Sequence, residues 1–61
     1  MKIFSFRVYA TDGNDELVDA ESEFHARLVY SILTHERIRQ GQIHPTKAAL
    51  ALNVQHVEQL T

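Results

Sequence analysis

Cysteine and tryptophan are absent from the 61-residue sequence, which contains only one proline and two glycines. Without cysteine the chain forms neither a disulfide nor a thiolate zinc site. With so few glycines it has no glycine-rich loop for binding phosphates. A chain of this length buries only about 60% of the surface of its unfolded state, so its stability is marginal. The sequence therefore predicts one small domain, residues 1–61, that depends on a well-packed core or on self-association.

Long apolar runs are also missing. No stretch approaches the roughly 20 apolar residues that a membrane-spanning helix needs. The first residues alternate between apolar and polar side chains, whereas a signal peptide is continuously apolar at its centre. We therefore expect a cytoplasmic protein that makes no contact with a membrane.

The charges that are present are unevenly distributed. Six acids and no base lie between residues 12 and 23. These acids either solvate a hairpin and keep a sheet edge from aggregating, or offer an acidic surface to a basic partner. The second interpretation predicts a partner-binding surface made of Asp12, Asp15, Glu16 and Asp19.

The N-terminal third has the period of β-strands. Apolar residues at positions 4, 6, 8 and 10 share one side of the chain, and Val18 and Ala20 resume the alternation after a turn at residues 12–14. The Asp-Gly-Asn sequence of that turn tolerates the positive φ angles of tight hairpins. The sequence predicts a β-hairpin over about residues 2–21, with the phenylalanine side of its first strand facing the core.

The rest of the chain has helical spacing. Ser22 is a suitable N-cap for a first helix over about residues 23–40, and Gly41 a suitable terminator. Pro45 is acceptable in the first turn of a second helix over about residues 46–60. The predicted fold is therefore α+β, an antiparallel hairpin followed by two helices (ββαα) that pack on the sheet.

The first predicted helix is apolar on more than one side. Its apolar residues cover about 200° of its surface, wider than the stripe that one sheet covers. We expect the second helix and a second copy of the chain to share the excess, which makes a homodimer that associates through helix one or through strand one. The candidate interface consists of Phe24, His25, Leu28, Val29, Ile32 and Leu33.

His25 lies within this apolar arc, and the sequence leaves two interpretations open. It is either a core or interface histidine whose nitrogens bond to the backbone or to a carboxylate, or a pH-sensitive contact. His25 and His35 are separated by about 15 Å along the helix, so they do not share a metal ion.

No serine lies in a nucleophile-elbow motif, and the chain is too short to enclose a typical ligand pocket. We expect no metal, no cofactor and no enzymatic activity.

A DNA-binding alternative comes from the segment RIRQGQIHPTKAALALNVQHVEQL, residues 37–60. It resembles the start of a helix-turn-helix in bacterial regulators. The resemblance implies a recognition helix after Asn53 and phosphate contacts from Arg37, Arg39 and Lys47. The six clustered acids would oppose the approach of a nucleic acid, so we keep a small DNA-binding regulator, using residues 37–61, as the alternative function.

A second resemblance concerns the junction formed by Val18, Ala20, Glu21 and Ser22, where the second strand turns directly into an amphipathic helix. This layout resembles small accessory proteins of phages and other mobile elements, including some anti-CRISPR proteins. Such proteins are commonly non-enzymatic and occupy a surface of a host protein. The sequence thus predicts a non-enzymatic protein-binding module, homodimeric, whose partner is a basic host protein.

Overall fold

The computed structural model describes residues 2–61 of the chain. One long helix lies against a three-stranded antiparallel sheet, so the predicted α+β class is confirmed. In chain order the elements are β1 (Phe4–Ala10), β2 (Asp15–Ala20), α1 (Glu23–Arg39), a 3-10 turn (Pro45–Lys47), α2 (Ala48–Leu52) and β3 (Val54–Gln59).

The predicted hairpin is confirmed. β1 and β2 pair antiparallel, with Phe6 opposite Val18, and the turn between them contains Gly13 at φ +89°. The strand order is β2-β1-β3, because β3 pairs antiparallel with the other edge of β1. Since β1 is paired along both edges, it offers no edge to another chain, and only β2 and β3 have a free edge.

The core lies between the sheet and α1. As the sequence predicted, the phenylalanine side of β1 faces inward: Phe6 and Val8 are buried, together with Val18 of β2. Ala26 and Tyr30 of α1 cover them. The buried apolar residues are Phe6, Val8, Ala10, Val18, Ala20, Ala26, Tyr30, Ala51 and Val57.

The ends of α1 follow the predicted signals. Ser22 is the N-cap, and its Oγ accepts a hydrogen bond from the backbone N–H of His25 at 3.2 Å. Gln40 is the C-cap, and Gly41 follows it in the left-handed conformation at φ +79°. Arg39 in the last turn suits the negative end of the helix dipole.

The predicted second helix over about residues 46–60 is wrong. Only the short α2 forms, and the chain then continues as β3, so the order is ββααβ instead of ββαα. Val54 pairs with Ala10 and Val57 with Val8, but Gln55 has no partner between them. This β-bulge inserts one extra residue, which brings two valines three positions apart onto the core side. Residues three positions apart also share one face of a helix. The spacing of Val54 and Val57 therefore fits a helix as well as a bulged strand.

Candidate protein-binding surface

The side of α1 that packs on the sheet is formed by residues four positions apart. Ala26, Tyr30 and Thr34 are 0%, 4% and 1% exposed. The Tyr30 hydroxyl donates to the carbonyl oxygen of Ala51 at 2.8 Å, and the Thr34 hydroxyl donates to the carbonyl oxygen of Tyr30 at 2.8 Å. We call these three residues the inward face of α1. Two of them are small, because the sheet side chains already fill the space beneath the helix.

The opposite side of α1 carries large apolar side chains that remain in solvent. Phe24 and Ile32 are 67% and 64% exposed, and Leu28 is 45% exposed. Residues four apart are neighbours on a helix, so these side chains form a continuous row. We call the row and the two side chains beside it the outward face of α1: Phe24, Leu28, Val29, Ile32 and Leu33. Val29 and Leu33, 36% and 38% exposed, lie at its border with the inward face. The second helix was expected to cover part of this surface, but α2 reaches α1 on the inward side, at Tyr30.

His25 lies beside this row and is exposed, so its interpretation as a core histidine is wrong. Its Nδ1 is 3.0 Å from the Oγ of Ser22, and its ring meets the ring of Phe24 edge-on at a centroid distance of 5.9 Å. The imidazole is therefore held by the N-cap serine instead of by the backbone or a carboxylate. Because His25 lies at the edge of the outward face, it remains a candidate interface residue. The role of the candidate residues in an interface stays a prediction.

Two of the four hairpin acids point to the open side of the sheet, the side away from α1. Asp15 forms an ion pair with Arg7 at 2.7 Å. Asp19 accepts a hydrogen bond from the Ser5 hydroxyl at 3.0 Å. Both carboxylates are thus engaged by the neighbouring strand β1, although both remain exposed to solvent.

The other two hairpin acids lie elsewhere. Glu16 forms an ion pair with Arg37 of α1. Asp12 accepts hydrogen bonds from the backbone and side-chain amides of Asn14, at 2.9 and 3.0 Å, within the turn. The four acids therefore make their contacts in three places: the open side of the sheet, the boundary with α1 and the turn. Asp12, Asp15 and Glu16 nevertheless border one groove. The role of the four acids in binding a basic partner stays a prediction.

A shallow groove of about 270 Å³ opens between the hairpin turn, α1 and α2. Its lining residues are Asp12, Asn14, Asp15, Glu16, Tyr30, Thr34, Arg37, Ile43 and Ala51. Typical ligand pockets measure roughly 300–1,000 Å³. The hydroxyl groups and carboxylates of the lining are already hydrogen-bonded within the chain. The groove thus presents neither a nucleophile beside a base nor a pair of unengaged carboxylates.

The histidines are dispersed over the surface. His44 caps the 3-10 turn by accepting from the backbone N–H of Thr46 at 3.2 Å. His56 stacks on Tyr9 with a centroid distance of 5.7 Å, on the open side of the sheet. Within residues 2–61, no three histidine, aspartate or glutamate side chains are grouped so that they could hold a metal ion.

The basic residues of the DNA-binding alternative are only partly available. Arg37 is paired with Glu16, and Arg39 with Glu36. The residues that the resemblance assigns to a recognition helix form β3 instead, so the chain does not adopt the helix-turn-helix architecture. Binding to DNA through Arg37, Arg39 and Lys47 stays a prediction.

Comparison of the chain with protein-family models, with curated proteins and with solved structures finds no match. The resemblance to phage accessory proteins therefore stays a prediction that rests on the hairpin-to-helix junction alone. Neither helix of the described residues has the length and apolar character needed to cross a membrane.

Proposed function

We propose that the chain is a non-enzymatic protein-binding module whose contact surface is the outward face of α1. The observation that carries this proposal is the exposure of Phe24, Leu28 and Ile32 in one row along α1, with Val29 and Leu33 partly exposed beside them. Continuous apolar surface of this kind on a soluble domain marks an interaction site or an aggregation liability. In a chain of 61 residues, five such side chains are a large share of the apolar residues that could have built the core.

The sheet edges are less suited to bind another chain. The Ala10 N–H donates to the carbonyl of Asn14, so every second residue of β2 from there bonds to β1. The backbone groups of β2 that face away from β1 therefore belong to Asp15, Leu17 and Asp19. Two carboxylates therefore flank that edge. In β3, the bulge at Gln55 interrupts the edge. Charges and bulges are the features by which proteins protect sheet edges. On the outward face of α1, no charged side chain lies within the row from Phe24 to Ile32.

The groove beside the hairpin supports the non-enzymatic part of the proposal. Tyr30 and Thr34 use their hydroxyl groups to bond backbone carbonyls, and Glu16 is neutralised by Arg37. A catalytic site needs a nucleophile or acid that is free to react and a base within hydrogen-bond reach of it. The groups that line the groove are instead committed to holding the hairpin, α1 and α2 together.

On this proposal the chain works in the cytoplasm by occupying a surface of another protein, as its resemblance to small phage accessory proteins implies. The acidic hairpin would then act at longer range. Exposed carboxylates raise the rate at which a basic partner approaches, and this effect weakens with salt. The apolar face of α1 would make a separate and more lasting contact.

A site-specific photo-crosslinking amino acid tests the contact surface. It is placed at position 32, on the outward face, and separately at position 42, where Gln42 is also exposed but lies in the loop after α1. After illumination in cells that produce the chain, we expect position 32 to give one dominant covalent adduct, identified by mass spectrometry, and position 42 to give little of it. A second copy of the chain counts as a partner in this experiment. Equal labelling at the two positions, or no adduct at position 32, would overturn the proposal.

A further inference from the structure

We infer that the protein bound by the outward face of α1 is a second copy of the chain, with the two α1 helices antiparallel across a two-fold axis near Leu28. This inference rests on the proposed function, since it names the partner of the same surface. Three observations carry it: the size of the face, the distribution of charge along α1, and the spacing of the row of apolar side chains.

The size of the face suits a small two-fold contact. A standard protein interface buries about 800 Å² on each partner, and the row of Phe24, Leu28 and Ile32 supplies less than half of that, so the contact is a small one. The polar neighbours His25, His35 and Arg39 are also exposed on this side of the helix and extend the contact at its rim. In a two-fold arrangement the same patch is used by both copies, so the row of Phe24, Leu28 and Ile32 of one copy covers the same row of the other.

The charges of α1 select the antiparallel orientation. Glu21 and Glu23 lie exposed at its N-terminal end, and Arg39 lies exposed at its C-terminal end, with its guanidinium bound only to Glu36 of the same helix. With the axis at Leu28, antiparallel helices place Arg39 of one copy about 9 Å beyond Glu23 of the other, on the side of its acidic N-terminal end. The helix dipoles are also aligned favourably. Parallel helices would place acids beside acids and arginine beside arginine.

The row of apolar residues is symmetrical about Leu28. Phe24 lies four residues before it and Ile32 four residues after it, so an antiparallel two-fold axis at Leu28 brings Phe24 of one copy against Ile32 of the other. Parallel helices would instead pair Phe24 with Phe24 and Ile32 with Ile32. Positions 24 and 32 are separated by about 12 Å along the helix, so the two arrangements make distinct contacts.

Disulfide trapping distinguishes these arrangements, and the absence of cysteine makes the chain well suited to it. Phe24→Cys and Ile32→Cys variants with different affinity tags are mixed under mild oxidation. A disulfide needs Cα atoms within about 4.4–6.8 Å, so we expect the mixed 24–32 product and little of either homogeneous product. Gln42→Cys, off the face, is the control for random collision. Predominant 24–24 and 32–32 products, or yields no greater than those of the control, would overturn the inference.

Light scattering at several concentrations separates this inference from the proposed function. We expect twice the monomer mass of 7.0 kDa for the native chain. Ile32→Asp should raise the dimer dissociation constant by about 30-fold or more, as for a central interface residue, while Gln42→Asp leaves it unchanged. A native chain that stays monomeric at every concentration overturns the second copy as partner. The proposed function survives that result if position 32 still gives a specific adduct with a different protein, and falls with it if no adduct forms.

Discussion

The two faces of α1 are built from opposite kinds of side chain. The inward face uses Ala26, Tyr30 and Thr34, and all three are buried against the sheet or α2. The outward face uses phenylalanine, leucine, isoleucine and valine, and solvent reaches all of them. A helix that served only the fold would place its largest apolar residues inward, because burying them is what stabilises the core.

This difference separates the residues that hold the fold together from those available for contact with another protein. Loss of an inward side chain removes packing and hydrogen bonds from a core that is already small. Loss of Phe24 or Ile32 from the outward face removes little from a single copy, since most of the surface of these two side chains stays in water. Substitutions on the two faces should therefore affect different measurements: unfolding for the inward face and association for the outward face.

Tyr30→Ala and Ile32→Ala should differ most in their free energies of unfolding. Removing a buried aromatic side chain costs about 3–5 kcal/mol. Here it also leaves the carbonyl of Ala51 without its donor. The free energy of unfolding of a chain of this length is about 3–9 kcal/mol, so Tyr30→Ala removes a third or more of it. We expect a large fall in the urea midpoint of unfolding, followed by circular dichroism at 25 °C.

Ile32→Ala should leave the unfolding of dilute protein within about 0.5 kcal/mol of native, because Ile32 makes few contacts in the single copy. At high concentration the same variant should be less stable than native protein, since it loses the contribution of association. Urea titrations at two protein concentrations measure both effects. If Ile32→Ala destabilised the dilute protein as much as Tyr30→Ala does, the division between the two faces would be incorrect.

Two alanine-to-leucine substitutions should differ less in their free energies of unfolding. Ala26 lies between α1 and the sheet and is 0% exposed. A leucine at this position would displace its neighbours, which should lower the free energy of unfolding by about 1–3 kcal/mol. Ala49 of α2 is exposed, and leucine there should change the free energy of unfolding by less than about 0.5 kcal/mol. Urea unfolding measures both. Equal tolerance of leucine at both positions would mean that the helix is not closely packed on the sheet.

Local signals in the sequence were sufficient to predict the hairpin and the limits of α1. The alternation of β1, the Asp-Gly-Asn turn, the Ser22 cap and the left-handed Gly41 each act over a few residues, and the structure confirms all four features. The apolar arc of α1 was also visible in the sequence. Its orientation was not, because periodicity locates an apolar side without showing which side meets the sheet.

The third strand could not be predicted for a different reason. Its identity depends on pairing with β1, more than 40 residues away along the chain, and on a bulge that imitates helical spacing. The four hairpin acids were correctly seen as a cluster in the sequence. Their separation into three places depends on strand alternation and on Arg7 and Arg37, which lie on other elements.

The smallest contrast compares two hydroxyl residues on α1. Thr34→Ala removes a buried methyl group and a hydroxyl that bonds the Tyr30 carbonyl, and the better helix propensity of alanine offsets part of that loss. We expect Thr34→Ala to lower the free energy of unfolding by about 1 kcal/mol. Ser31 lies at the rim between the two faces, so Ser31→Ala keeps only the gain in propensity and should be neutral or stabilising by about 0.5 kcal/mol. Urea unfolding of the two variants measures the difference. A reversed order would place Ser31 in the core and would rotate α1 about its axis relative to the sheet, moving the boundary between its two faces.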